Sequence, residues 1–129
     1  MDKVAEFLTR IRNAGLARHE KVDVPASKFR ANIAEILATS GLIRSYKVAK
    51  DSKQGVMRVY LKYSDSGDHV ISNIERVSRP GRRVYLKATD IPVIRSGLGM
   101  AILSTNKGLM SSSQAKKNNL GGELVCTIW

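Results

Sequence analysis

A compact group of polar side chains in the last third of the sequence has the chemistry to bind phosphates and bases. The segment 104–110 reads Ser-Thr-Asn-Lys-Gly-Leu-Met, so Ser104, Thr105 and Asn106 are followed by Lys107 and Gly108. Short hydroxyls, an amide and one ammonium suit phosphate oxygens, 2′-hydroxyls and base edges, which is how folded RNA is read. The alternative is a polar loop that precedes a helix, and the residue types alone do not decide between the two.

A second group of candidate residues is basic and surrounds a Pro-Gly turn at residues 79–82. Proline and glycine occupy the central positions that a type II turn prefers. Arg79, Arg82 and Arg83 would present three guanidinium groups on this hairpin, and Tyr85 lies just beyond. A rigid basic hairpin can contact phosphates, and a tyrosine can stack on a base. A solvated turn with Tyr85 packed into a sheet would account for the same residues.

Motifs of catalytic sites are present only in part. Gly97-Leu-Gly99 begins like a dinucleotide-binding loop, but Ile102 stands where the third glycine is needed. The pairs Ser104/Lys107 and Ser113/Lys116 match the Ser-x-x-Lys of serine acyl-enzymes, yet the partner motifs of that class are missing. The sequence therefore predicts a protein that is not an enzyme and has no catalytic residues.

The histidines and the cysteine do not suggest a metal or nucleophile site. His19 and His69 are isolated from each other and from Cys126 in the sequence, so neither a metal cluster nor a Cys–His pair is expected. Cys126 lies in the run Leu124–Trp129, where the role of a small buried hydrophobic residue is expected. A lone cysteine also fits a reducing compartment. We expect no metal and no cofactor.

The charge balance favours a polyanionic partner. The 129 residues include 22 Lys and Arg against 11 Asp and Glu, which gives a net charge of +11. Nucleic acid is the first expectation and an anionic membrane surface the second. Residues 1–64 carry +7 and residues 65–129 carry +4 without a block of like charge, so the charge is expected on folded surfaces. No apolar stretch approaches the ~20 residues of a membrane span, and a charged helix from residue 2 argues against a signal peptide.

Hydrophobic periodicity predicts the elements that position these residues. In the first half, helices are predicted over 3–14, with Asp2 as N-cap and Gly15 as the end, and over 28–39, with Ser27 as N-cap. Strands at 42–49 and 56–63 follow around a turn at 51–55, and 64–68 is the predicted linker. In the second half, the pattern predicts a strand ending near Val77 and further strands at 82–87, 100–103 and 123–129. A helix is predicted from the capping box Ser111–Gln114 to Asn119, and Gly121 and Gly122 are expected to end it.

Four stretches together resemble a known family. They occur in the family's order and spacing, and the likeness covers essentially the whole chain. The chain resembles the bacterial-type family of the eighth small-subunit ribosomal protein in Phe7-Leu-Thr-Arg-Ile-Arg-Asn-Ala14, Arg79-Pro-Gly-Arg-Arg-Val-Tyr85, Gly97-Leu-Gly-Met-Ala-Ile-Leu-Ser-Thr-Asn-Lys-Gly-Leu-Met110 and Gly121-Gly-Glu-Leu-Val-Cys126.

The resemblance implies a fold and a partner. Members have two α/β halves packed together, bind a helical region in the central domain of small-subunit ribosomal RNA, and join early in subunit assembly. In some bacteria they also repress translation of their own operon through a similar RNA. Most contacts come from the C-terminal half, and the family's contact residues map onto Ser104, Thr105, Asn106, Lys107, Gly108, Gly121, Gly122, Glu123, Arg82, Arg83 and Tyr85.

Three positions need separate comment under this resemblance. Asn106 stands where the family usually has serine, which gives an amide donor with a longer reach. Lys3 replaces the proline that usually follows Asp2, so a helix-starting residue is exchanged for a charge. Glu123 would be repelled by phosphate, so it is expected either to accept hydrogen bonds from a base edge or backbone amides, or to orient its loop.

The sequence thus predicts an α+β fold of two closely packed α/β halves. Residues 1–64 form a half with two helices and a short sheet, and residues 65–129 form an RNA-binding half that is mostly antiparallel β with a short helix. The expected function is that of a cytoplasmic constituent of the small ribosomal subunit. The expected partners are small-subunit ribosomal RNA, neighbouring small-subunit ribosomal proteins and the messenger RNA of its own operon, without a membrane, and the protein is expected to be a monomer outside the ribosome. The rivals are a general polyanion binder and a small hydrolase that uses Ser104 and Lys107.

Overall fold

The computed structural model describes residues 3–50, 53–92 and 99–129, and the chain forms two compact units. The first unit is Lys3–Ile71 and the second is Ser72–Trp129. Both contain helices and an antiparallel sheet, so the predicted α+β class is confirmed. The predicted N-cap Asp2, the first two residues of the turn at 51–55 and most of the Gly97-Leu-Gly99 motif lie outside the described residues.

The first unit is a three-stranded sheet with two helices. β3 is the central strand and pairs antiparallel with β1 on one side and β2 on the other. The sequence pattern predicted both helices and strands β2 and β3, but it did not predict β1, although Val22 and Val24 alternate with polar residues there. The elements are α1 (Lys3–Leu16), β1 (Lys21–Pro25), α2 (Lys28–Thr39), β2 (Ile43–Ala49) and β3 (Val56–Leu61).

The core of the first unit lies on one face of this sheet. Met57, Val59 and Leu61 alternate along β3 and are almost fully buried, while Arg58 and Tyr60 between them stay half-exposed. α1 packs against β1 and α2 packs against β2, and the apolar stripes of both helices are buried, as their 3.6-residue period requires. The opposite face carries polar and charged side chains along most of its length, with the exposed Val56 near one end.

α1 does not end at Gly15, as the sequence pattern predicted. It runs to Leu16, and Arg18 adopts the left-handed conformation, with φ of 59° and its N–H donating to the carbonyl of Gly15. Gly15 lies inside the helix because His69 packs against it: a Cβ there would lie 1.9 Å from the ring Nδ1. Burial lowers the pKa of His69. The glycine therefore serves a close contact and does not act as a helix stop.

The segment 64–70 folds back on the first unit. The Ser64 N–H donates to the carbonyl of Asp68, Tyr63 and His69 form a β-bridge, and the Val70 N–H donates to the carbonyl of Lys62. The predicted boundary after residue 64 lies seven residues before the division between the two units. Because these hydrogen bonds attach residues 64–70 to the first unit, the division falls after Ile71 and not after residue 64.

The second unit is a five-stranded antiparallel sheet with one short α-helix. β4, β8, β6 and β7 follow each other across the sheet, and β5 pairs with β8 as well. Its core comprises Ile91, Ala101, Leu103, Ala115 and Leu124. The elements are β4 (Ile74–Arg76), β5 (Tyr85–Leu86), a 3-10 turn (Ala88–Asp90), β6 (Met100–Thr105), β7 (Gly108–Ser111), α3 (Ser112–Lys117) and β8 (Gly122–Ile128).

Two details of the second unit differ from the sequence pattern. Arg79 and Arg82 close the Pro-Gly turn with two backbone hydrogen bonds of 2.9 Å, but Gly81 lacks the positive φ that a type II turn requires. The N-cap of α3 is Ser111, as predicted, since its side chain accepts from the Gln114 N–H. The helix is closed by Asn119, which has φ of 55°, and not by the two glycines that follow.

Candidate nucleic-acid interface

Strand pairing brings the three predicted clusters of the second unit side by side. Glu123, near the start of β8, is paired with Tyr85 of β5 on one side and with Ser104 of β6 on the other. Directly opposed residues in adjacent strands project from the same face. Tyr85, Glu123 and Ser104 therefore form one row across the sheet, which we call the polar row. The sequence predicted its members but not this register.

Gly121 and Gly122 are what allows these strands to approach so closely. A Cβ on Gly121 would lie 2.4 Å from the carbonyl oxygen of Leu86, and one on Gly122 would lie 2.2 Å from the carbonyl oxygen of Ser104. Both distances are far below van der Waals contact, so only glycine fits at either position. The prediction that the pair closes α3 is wrong, and the pair instead fixes the spacing within the polar row.

The turn between β6 and β7 is held by the hydroxyl of Thr105. Thr105 Oγ1 donates to the carbonyl of Gly108 over 2.8 Å and accepts from the Lys107 N–H over 3.1 Å. Gly108 has φ of 108°, a conformation that other residues rarely adopt. The turn is thus fixed from within, and it presents the exposed side chains of Asn106 and Lys107 at its tip.

Ser104 lies beside this turn with its hydroxyl uncommitted. The residue is partly exposed, and within the described ranges its Oγ makes no hydrogen bond to another residue. A hydroxyl can both donate and accept. It is therefore available to a ligand, in contrast to the hydroxyl of Thr105.

Glu123 is engaged by a neighbouring arginine. Arg83 Nη1 lies 2.9 Å from Glu123 Oε2, and the glutamate side chain is only 16% exposed against 50% for the arginine. The pair offsets the negative charge of Glu123, which would otherwise repel phosphate. Next to it, the Tyr85 side chain is 70% exposed, so it does not pack into the sheet, and Arg82 is exposed at the turn.

Sequence reasoning missed the residue that fixes the basic hairpin. Ser78 is fully buried, and its Oγ accepts from the Val84 N–H over 3.0 Å and donates to the Val84 carbonyl over 3.3 Å. This side chain fastens the two arms of the hairpin that carries Arg82 and Arg83. A serine directly before Arg79-Pro80 was the available signal, but its role depends on a partner six residues away.

The surroundings of the polar row are strongly positive. Residues 72–129 contain nine Lys and Arg against three Asp and Glu, a net charge of +6. One of the three acidic residues is Glu123, which is already paired with Arg83. The unit therefore offers a fixed set of polar groups within a positive field, a combination suited to a phosphate-bearing ligand whose shape is read at short range.

Other kinds of site find little support in the described chain. Across residues 3–50, 53–92 and 99–129, the His, Cys, Asp and Glu side chains form no cluster of three or more that could hold a metal ion. In the same ranges, no helix combines the length and apolarity that crossing a membrane requires. Cys126 is buried, and burial raises the pKa of its thiol to about 12, which keeps it protonated and unreactive near neutral pH.

Comparisons with known proteins agree along the whole chain. The family model described as ribosomal protein S8 matches residues 2–129. The small ribosomal subunit protein uS8 of Bdellovibrio bacteriovorus is 66% identical over 129 residues, which is all of both chains. The proteins of the same name from Geotalea daltonii and Streptococcus uberis are 53% and 49% identical, each over 99% of this chain and 97% of its relative.

Proposed function

Because this chain belongs to the ribosomal protein S8 family, we propose that the polar row and the 105–108 turn bind a helical region in the central domain of small-subunit ribosomal RNA. The coarser role follows from membership: the chain is a structural, non-enzymatic constituent of the bacterial small ribosomal subunit, in the cytoplasm. In this proposal, the polar row recognises bases and sugars at short range, and the cations beside it contact phosphates.

The observation that carries the proposal is the register across β5, β8 and β6. It aligns an exposed aromatic ring, a charge-paired carboxylate and an uncommitted hydroxyl in Tyr85, Glu123 and Ser104. An exposed tyrosine offers a stacking surface, and a hydroxyl can pair with a base edge or a 2′-hydroxyl. Lys107, at the tip of the adjoining turn, supplies a flexible point charge for phosphate.

The RNA contact supports two further parts of the proposal, a role in subunit assembly and a role in regulation. A protein that recognises one helical region can bind it before neighbouring proteins arrive, which fits a role early in subunit assembly. A messenger RNA that folds into a similar helix would compete for the same surface, so binding to its own operon transcript would repress translation. Outside the ribosome the chain acts as a monomer, and inside it has other small-subunit proteins as neighbours.

Binding measurements at several salt concentrations test the central claim. The full chain is titrated with a fragment carrying the central-domain helical region and with a scrambled duplex of the same length. If about five to eight phosphates are neutralised, log K against log salt has a slope of roughly −3.5 to −7. We expect nanomolar binding to the fragment and much weaker binding to the duplex. Equal affinity for both, or for unrelated polyanions, would instead indicate a general polyanion binder.

A further inference from the structure

A β-bulge in β8 determines which residues meet in the polar row. β8 pairs with β6 so that Cys126 opposes Ile102. The next residue of β6, Leu103, opposes Leu124 and not Val125. Val125 is therefore an additional residue of β8 that has no counterpart in β6. A bulge of this kind moves every residue beyond it by one position, so the register of the polar row depends on it.

The side chains beyond the bulge would differ in a regular ladder. Without the additional residue, Leu124 would oppose Ser104, and Glu123 would point to the other face of the sheet. In the structure, Glu123 opposes Ser104. Leu124 instead belongs to the same core cluster as Leu103, the residue that it opposes. The bulge thus places an acidic side chain, and not an aliphatic one, next to the uncommitted hydroxyl.

The backbone hydrogen bonds on the other side of β8 show the same irregularity. The carbonyl of Val125 accepts from the Val77 N–H over 3.0 Å. The carbonyl of Leu124 accepts from the Ser78 N–H over 3.1 Å. Consecutive carbonyls of a regular strand point to opposite neighbours, whereas these two both point to the segment 77–78. The backbone at the bulge is therefore turned toward the residues that follow β4.

A guanidinium group holds the backbone in this position. Arg76 Nη1 donates to the Val125 carbonyl over 2.7 Å, so this oxygen accepts from a side chain as well as from the Val77 N–H. A carbonyl oxygen has two lone pairs, and a hydrogen bond from an ionised donor is stronger than one between neutral groups. Val125 is only 2% exposed, so water has little access to replace the arginine.

We propose that Arg76 is a positioning residue for RNA recognition: its hydrogen bond to Val125 keeps the bulge in β8, and the bulge aligns the polar row. Arg76 acts through the backbone of β8 and contributes no contact to phosphate, in contrast to the lysine at the tip of the 105–108 turn. The inference rests on the proposed function, because that function assigns the polar row to RNA.

Amide exchange of the full chain, followed by nuclear magnetic resonance, tests the bulge without RNA. Arg76→Met removes the guanidinium and keeps an unbranched side chain. We expect the amides of Val77 and Ser78 to exchange about tenfold faster, the equivalent of one hydrogen bond to a charged group. Arg79→Met, which removes an exposed guanidinium three residues later, is the charge-matched control and should leave both amides unchanged. Equal exchange in the two variants would overturn the proposal.

Binding to the central-domain fragment distinguishes positioning from contact. We expect Arg76→Met to bind the fragment about tenfold more weakly and a scrambled duplex almost as before, with an unchanged salt slope. A residue that contacts phosphate behaves differently, because its loss weakens both RNAs alike and flattens the slope by about 1. A flatter slope for Arg76→Met would make the arginine a phosphate contact and would contradict the proposal.

A double-mutant cycle tests whether the loss passes through the polar row. If it does, Arg76→Met and Ser104→Ala together should cost less than the sum of the two single losses. Ile74→Val is the control for stability, since Ile74 pairs with Ile128 at the opposite end of β8. Its loss should add to that of Ser104→Ala. Additive losses for Arg76→Met would show that the arginine only stabilises the unit.

Two further comparisons keep the outcome decisive. Thermal melts check that each variant is folded, and if Arg76→Met is not, Arg76→Lys takes its place, because it keeps the charge but lacks the planar fork. Unchanged exchange and binding in Arg76→Lys would then overturn the proposal. If the unchanged protein did not bind the fragment, the proposed function would fail together with the role of Arg76 in recognition. If it bound and Arg76→Met bound equally well, only the role of Arg76 would fail.

Discussion

The two units of this protein carry similar charge but hold it in different ways. Residues 1–71 have 13 Lys and Arg against eight Asp and Glu, and residues 72–129 have nine against three, so the net charges are +5 and +6. In the second unit, the cation Arg83 is paired with Glu123 next to backbone positions that admit only glycine. In the first unit, Arg44 and Lys62 are exposed and have no acidic partner among the described residues. The second unit combines its charge with a fixed backbone geometry, whereas the first unit exposes cations on flexible side chains.

This difference between the two units corresponds to two parts of RNA binding, affinity and specificity. Contacts to phosphate position a protein on RNA but carry no sequence information, and short-range contacts to bases and sugars do. The polar row can fulfil the second task only if its backbone spacing is fixed. Exposed cations such as Arg44 and Lys62 can fulfil the first with flexible side chains.

The largest effect is expected from Gly122→Ala. The added methyl group would lie 2.2 Å from the Ser104 carbonyl oxygen, so β6 and β8 must move apart. We expect the free energy of unfolding to fall by about 1 to 3 kcal/mol, as for other overpacked sites, and affinity for the central-domain fragment to fall about 100-fold. Denaturant unfolding and filter binding measure the two losses.

Gly81→Ala is the matched control for this change. A Cβ on Gly81 meets no atom within 4 Å, and its φ is not in the left-handed region. We expect its stability to stay within roughly 0.5 kcal/mol of the unchanged protein. If Gly122→Ala were as harmless as Gly81→Ala, the tight strand spacing would not be what shapes the interface.

The contrast between Gly81 and Gly122 shows how much of the structure could be predicted from the sequence. Helices and strands follow from local periodicity, so most of them were predicted, as was the N-cap of α3 at Ser111. The role of Gly122 depends on the carbonyl of Ser104, eighteen residues earlier in the chain. Local pattern reads Gly121-Gly122 as a helix end, because glycine is common there. Only the pairing of β8 with β6 reveals the close approach.

The candidate site was predictable in composition but not in arrangement. Family resemblance selected Ser104, Glu123 and Arg83, yet it did not predict that the last two form an ion pair. Neither did it distinguish Thr105, whose hydroxyl is used within the turn, from Ser104, whose hydroxyl is available. The ion pair joins residues that lie 40 positions apart, and the hydrogen bonds of Thr105 depend on the geometry of the 105–108 turn, so residue types alone predict neither.

Ser104→Ala is expected to have the next largest effect. The change removes one hydroxyl and leaves the backbone in place. If it strands a desolvated RNA group, it costs about 1 to 3 kcal/mol of binding free energy, and the loss should be larger for the cognate fragment than for a scrambled duplex. Thr105→Ser is the control, since it keeps the hydroxyl that holds the turn. Equal small losses on both RNAs would mean that Ser104 only connects β6 to the turn.

Glu123→Gln tests whether the carboxylate positions Arg83. The change raises the net charge by one, so simple electrostatics predicts tighter binding. If Glu123 directs the guanidinium over the observed 2.9 Å contact, affinity should instead fall by about 1 kcal/mol, because the glutamine amide oxygen can still accept from Arg83 but holds it less tightly than the carboxylate does. Isothermal titration with the central-domain fragment measures whether the affinity of the variant rises or falls. Tighter binding by the variant would show that the ion pair is not needed for recognition.

The smallest effect is expected from Lys107→Ala, which removes charge from the fixed unit without touching its shape. The Lys107 side chain is exposed at the turn and has no partner among the described residues, and its backbone N–H donates to Thr105 Oγ1. An ammonium contacts phosphate as a point charge, so its loss should weaken all RNAs alike and flatten the salt slope by about 1. At physiological salt, one such contact corresponds to about a fivefold change in affinity.

Gly108→Ala distinguishes the loss of a charge from a change in backbone shape. Gly108 has φ of 108°, which strains any side chain although the space around it is open, and strain is not screened by salt. The loss from Gly108→Ala should therefore persist at all salt concentrations, whereas that from Lys107→Ala should shrink as salt rises. If Lys107→Ala left both affinity and slope unchanged in a folded protein, the 105–108 turn would not lie on the RNA interface.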